Sequence, residues 1–141
     1  MKKTILRNYA RLIVRTGANV QKGQSVLVYA GLDQPEFVEM VADEAYKAGA
    51  AEVEVVWQHQ PLTKLNVRHK SVKRLGEVKD WEIAKQRWQA DTLPARIHII
   101  SDDPDGLAGM NQAKYAKGMQ ARYAVLKPFI DARENREQWC I

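Results

Sequence analysis

The sequence predicts an α/β fold, a small, mostly parallel sheet with flanking helices in three layers. Short apolar runs of strand length stand at residues 25–30, 51–57 and 96–101. Amphipathic segments of helical length separate them. A strand, helix and strand order over residues 25–57 normally makes a crossover between parallel strands. With 141 residues, 45% hydrophobic and 28% charged, the chain suits one globular α/β domain with a real core.

Each element follows from its residues. The opening segment MKKTILRNYARLIVR places Arg7, Arg11 and Arg15 along one helix face, opposite Ile5, Tyr9, Leu12 and Ile13. That pattern predicts a solvated cationic face and a buried apolar one. Gly17 reads as the C-cap and Gly23 as a turn before the strand SVLVYA. Asp33 or Gln34 stands near the N-cap of the next helix, with Pro35 in its first turn, where a missing amide hydrogen costs nothing. That helix, over about residues 35–48, buries Phe37, Val38, Val41, Ala45 and Ala48 and ends at Gly49. The strand AEVEVVW follows. The polar middle segment holds Trp81, Ile83 and Trp88, a spacing that predicts a short helix docked on the sheet edge. After RIHIIS comes the acidic turn DDPDGLAGM, then a long helix from about Asn111 with Tyr115, Met119, Tyr123, Leu126 and Ile130 on one side. Pro128 should kink or break it near Lys127. QWCI reads as a fourth strand.

The net charge of +5 is concentrated at the start, since six cations from Lys2 to Lys22 precede Asp33. A second basic cluster comprises Lys64, Arg68, His69, Lys70, Lys73 and Arg74. The first reads as a solvated helix face. The second lacks an aromatic stacking platform, so nucleic acid is not a predicted partner. One cysteine, Cys140, excludes an internal disulfide. Arg7, Arg11 and Arg15 interrupt any secretory apolar core, and no apolar run reaches the roughly 20 residues of a membrane span. A cytoplasmic location and no membrane partner are expected.

The residues show no catalytic constellation. Gly31 closes the first strand in AGLDQPE, which has one glycine where a dinucleotide fingerprint needs three, and no Gly-Lys-Ser/Thr phosphate loop follows. Asp102, Asp103 and Asp105 could gather a hard cation, but Asp, Pro104 and Gly106 in this order read first as a turn, and the spacing does not match a calcium loop. His59, His69 and His98 fit no zinc-ligand spacing and read as structural or exposed, with His98 on the sheet face opposite Ile97 and Ile99. Cys140 has no paired local motif.

The segments YARLIVRTGANVQKGQSVLVYA, VADEAYKAGAAEVEVVW and SDDPDGLAGMNQAKYAKGMQARYAVLKPFIDARENREQWCI, in that order, resemble the N-terminal part of the thermophilic-type metalloaminopeptidases, the family of aminopeptidases T, S and II. The resemblance runs from the first helix to Ile141. It implies a cytoplasmic enzyme that removes N-terminal residues from peptides with two divalent ions, zinc or cobalt among them, commonly as a dimer. The family's metal ligands lie in its C-terminal domain, so no residue here inherits a catalytic, cofactor-binding or metal-ligand role. QWCI resembles the point where the family chain runs on. Residues 1–141 are therefore expected to be the N-terminal domain of a longer two-domain enzyme, or a truncated relative, and inactive alone. The expected partners are the missing C-terminal catalytic domain and a second copy, with peptides as substrates of the parent. A chain without ligands but with its own α/β core suggests a part that walls the active cavity or contributes to the dimer. The alternative is a stand-alone α/β module binding a small ligand or nucleotide at the strand ends near Gly31 and Asp102.

Overall fold

A computed structural model describes residues 2–141. The chain gathers into two compact units. One holds the chain up to Gln58 together with Leu93–Ser101 and Arg136–Ile141; the other holds His59–Thr92 and Asp102–Asn135.

The first unit is the α/β unit. Helix α1 (Lys3–Leu12) runs on as a π-helical turn (Ile13–Gly17), followed by β1 (Ser25–Gly31), α2 (Pro35–Lys47), β2 (Glu52–Gln58), β3 (Ala95–Ile99) and a two-residue β4 (Trp139–Cys140). The strand order is β2-β1-β3-β4 and every pairing is parallel, with Val28 facing Val55 on one side and Ile97 on the other. β-Branched and small residues dominate the sheet face that carries the core, where they fit a pleated surface. Val26, Val28, Ala30, Ala95 and Ile97 pack there against Phe37, Val38, Val41 and Ala45 of α2 and Ala10 and Val14 of α1.

Helix α2 is built as its residues predict. Gln34 occupies the N-cap position, Pro35 opens the first turn, and Gly49 at φ 101 ends the helix. The Gly49 amide donates to the Tyr46 carbonyl at 2.9 Å and the Ala50 amide to that of Ala45 at 3.1 Å, the paired bonds of a Schellman cap.

Helix α1 departs from expectation. Ile5, Tyr9 and Leu12 are 53%, 55% and 54% exposed, whereas Ala10 and Val14 are fully buried. Of the cationic face, Arg7 and Arg11 reach carboxylates of α2, while Arg15 stays exposed. Arg7 pairs with Asp43 at 2.6 Å, and the buried carboxylate of Glu44 has Arg7, Arg11 and Lys47 within 3.5–3.8 Å. A buried carboxylate is tolerated only with compensating charge, so Glu44 draws the arginines inward. The small side chains of Ala10 and Val14 take the close approach to the core.

Gly17 is not a left-handed cap. A Cβ there would stand 2.5 Å from Cys140 Sγ, so the residue is small because β4 passes close by. The chain instead leaves the helix through Asn19 at φ 49, whose side-chain type tolerates that region.

The second unit is helical. It contains α3 (Gln60–His69), α4 (Val72–Leu75), α5 (Asp80–Thr92) and α6 (Gln112–Arg133). The middle of the chain thus forms three helices in place of the one expected. Helix α5, whose aromatic spacing predicts docking on the sheet edge, packs on α6 within its own unit, and Trp81 is 66% exposed. Polar contacts join the two helices: Arg122 of α6 donates to Glu82 at 2.7 Å and to the Glu77 carbonyl at 2.8 Å, while Arg133 donates to Gln86 at 2.8 Å. Pro128 neither breaks α6 nor ends it, since the helix continues to Arg133. The inward stripe of α6 includes Tyr115, Gly118, Met119, Leu126 and Ile130, whereas Tyr123 points outward. Gly118 is required for contact with α4, because a Cβ there would meet Leu75 Cβ at 2.6 Å. Among the described residues no helix is long and apolar enough to cross a membrane.

Candidate functional site

In the first unit, the carboxyl ends of β1 and β3 mark the point where the sheet order reverses, the usual ligand crevice of an open α/β sheet. Gly31 ends β1 there, and Asp33 lies in the turn that follows. Ser101 Oγ donates to Asp33 Oδ1 at 2.6 Å. A Cβ on Gly31 would stand 3.0 Å from that carboxylate oxygen and 3.4 Å from Ser101 Oγ. The chain's own side chains therefore staple the two strand ends together, and the glycine admits the staple.

Asp102, Asp103 and Asp105 lie in the second unit and build a turn. The Asp105 amide donates to Asp103 Oδ1 at 2.9 Å, and Gln60 holds the Asp103 backbone on both sides, accepting from its amide at 3.2 Å and donating to its carbonyl at 3.1 Å. Asp103 thus spends a carboxylate oxygen on local structure. No group of three or more His, Cys, Asp or Glu side chains converges among the described residues. The residues present do not fit the divalent ions that the family resemblance implies, because a two-metal hydrolase needs several such side chains together.

The histidines are dispersed. His98 stacks on Tyr29 with ring centroids 4.9 Å apart and 11° between planes, and Arg96 lies 5.0 Å over the same tyrosine ring. Burial, reinforced by the Arg96 charge, holds the His98 imidazole below its ordinary pKa, so its neutral form is favoured. His59 occupies the N-cap position of α3 and His69 its last turn, both exposed. Cys140 packs against the first unit's core.

A concavity lies in the second unit, between α3 and the loop that precedes α6. It has a volume of about 740 Å³ and is lined by Pro61, Lys64, Leu65 and Arg68 on the helix and by loop residues from Gly106 to Asn111. The sequence offered one signal for it, the i,i+4 spacing of Lys64 and Arg68 behind Pro61. What could not be read was Gln60, which ties α3 to a loop 43 residues away. In the first unit a smaller cleft of about 300 Å³ is lined by Ile5, Leu6, Tyr9, Gln34 and Phe37.

An all-parallel four-stranded sheet in the order β2-β1-β3-β4, with helices packed on it and the Asp33–Ser101 hydrogen bond at its switch point, defines the first unit as an open α/β domain. Residues 2–141 match the family described as thermophilic metalloprotease (M29). The chain belongs to that family and corresponds to its N-terminal domain. Aminopeptidase AmpS of Bacillus subtilis is 35% identical over 137 residues, covering 96% of this chain and 33% of the relative. Aminopeptidase PepS of Streptococcus thermophilus is 29% identical over 140 residues, covering 99% and 34%. The structure of wild-type AmpT from Thermus thermophilus superposes with a TM-score of 0.84 at 27% identity, over 97% of this chain and 35% of that one. The chain therefore spans about a third of the length of the curated relatives it matches.

Proposed function

We propose that residues 1–141 act as the N-terminal, non-catalytic domain of a two-domain metal-dependent aminopeptidase that removes N-terminal residues from peptides in the cytoplasm. The observation that carries this reading is the family match over residues 2–141, with relatives that are named aminopeptidases. In this reading the divalent ions, zinc or cobalt, are held by the remaining two thirds of the family chain. The present segment walls the active cavity or contributes to a dimer. The half-exposed Ile5, Tyr9 and Leu12 support the interface part, because apolar side chains grouped on one helix mark a surface that gains from being covered.

Expressing the gene product that contains this chain together with a C-terminal domain, and assaying leucine p-nitroanilide with and without a chelator, tests the reading. Chelator-sensitive hydrolysis by the longer product and none by residues 1–141 is expected. Chelator-insensitive hydrolysis, or hydrolysis by residues 1–141 alone, overturns it. The cavity-wall role is tested by comparing peptide and intact-protein digestion after removal of residues 1–141. An unchanged preference for short peptides defeats that part.

A further inference from the structure

The cleft of the second unit is a built feature. Pro61 starts α3, and Gln60 beside it holds the Asp103 backbone by two hydrogen bonds. Gly106 lies so close to the Gln60 amide that any Cβ there would overlap it, so the loop is drawn onto the start of α3 at this point. Beyond the clamp the two walls part and leave about 740 Å³, within the usual range for a small-molecule or peptide site. Lys64 and Arg68, one helical turn apart, both line it, and no Asp or Glu does. Neither cation makes an ion pair among the described residues. The rest of the lining includes Pro61, Leu65 and Met110, which are apolar.

Two cations without acidic partners on an apolar wall ask for a ligand with an anionic end and an apolar body. We propose that this cleft binds the carboxyl-terminal end of a short peptide, its carboxylate on Lys64 and Arg68 and the side chain of its last residue against Pro61, Leu65 and Met110. The choice of a peptide among anions rests on the aminopeptidase reading above. A peptide cut at its amino end carries a carboxylate at the other, and recognition of that end selects short substrates over long chains.

The test is a titration of the isotopically labelled 141-residue chain, followed by amide chemical shifts. The probes are trialanyl-leucine, the same peptide as its C-terminal amide, and inorganic phosphate. The free acid should bind saturably, shifting the Lys64, Arg68 and Met110 signals, and amidation should weaken binding at least about tenfold, as the loss of a charge-assisted hydrogen bond does. The paired substitution Lys64→Gln and Arg68→Gln should bring the acid down to the level of the amide and leave the amide unchanged. Equal binding of acid and amide, no effect of the paired substitution, or binding of phosphate without the peptide would each overturn the proposal. If the longer gene product cleaves no peptide while the acid still binds here, the aminopeptidase reading fails and the site stands. Cleavage by that product without binding here sinks the site alone.

Discussion

The two units of this chain are held together by different physics. Of the buried apolar side chains, Val67, Leu75 and Ala90 belong to the helical unit, whereas Val14, Val26, Leu27, Val28, Phe37, Val38, Val41 and Ile97 are among those of the sheet unit. The sheet unit rests on removing apolar surface from water, a large and non-directional term. The helical unit rests on directed contacts: Arg122 between Glu82 and the Glu77 carbonyl, Arg133 on Gln86, and glycines that let α4 meet α6. The sheet unit thus holds an extensive apolar core, while the helical unit is specified by geometry with little burial behind it. Its amides should exchange first under native conditions.

The largest effect should come from the sheet core. Ile97 is 1% exposed and sits on the central strand pair, so Ile97→Ala should cost about 2–5 kcal/mol through lost burial and a residual cavity. Urea unfolding checks this. A loss below about 1 kcal/mol, roughly the value of one buried methylene, would show that the sheet unit is not the stable one.

Second in size is overpacking of the helical unit. Gly118→Ala introduces a methyl 2.6 Å from Leu75 Cβ and should destabilise by about 1–3 kcal/mol. Hydrogen exchange sharpens the comparison, since faster exchange should appear in α4 and α6 while β1 and β3 keep their protection. Uniform acceleration throughout the chain would mean that the units open together.

The α/β class was legible because strands and α2 declare themselves by period and punctuation. Val26, Val28, Val53 and Val55 repeat at the strand interval, and Pro35 and Gly49 bracket a helix. The orientation of α1 was not legible. Its apolar face looked buried by the same rule, but which face turns inward is decided by Glu44, 33 residues from Arg11. The helical unit was hidden for a related reason. Helix α5 meets α6 through polar contacts that leave no apolar period, and α6 keeps Pro128 inside the helix. Gly31 ends β1 as expected, whereas Asp102 lies beyond β3, which stops at Ile99, and belongs to the helical unit. The Asp33 to Ser101 staple joins residues 68 apart, which no local pattern reveals.

Smaller again is the contact between Gly17 and Cys140 in the sheet unit. Gly17→Ala brings a methyl to within 2.5 Å of Cys140 Sγ and should cost roughly 1 kcal/mol, the low end for overpacking. Cys140→Ala should recover most of that loss when the two are combined, because it removes the atom that clashes. Additive losses in the double variant would place the strain elsewhere.

The smallest expected effect separates the units by acid. The hydrogen bond from Arg122, opposed in part by burial, holds the Glu82 carboxyl below its ordinary pKa of 4.5. A group depressed in the folded state contributes stability that is fully present above the unfolded pKa and is lost as pH falls through the folded value. Because both side chains are partly exposed, at 26% and 21%, the pair is worth on the order of 1 kcal/mol or less. Asp43 in the sheet unit is depressed in the same direction, by Lys47 first and Arg7 second, but its side chain is half-exposed. Lowering the pH below 4.5 should therefore speed amide exchange in α5 and α6 before β1 and β3 respond. Glu82→Gln should flatten that acid dependence while leaving the sheet unit's exchange unchanged. If the acid response begins in β1 and β3 instead, apolar burial is not what distinguishes the two units, and the polar contacts of α1 with α2 control the fold.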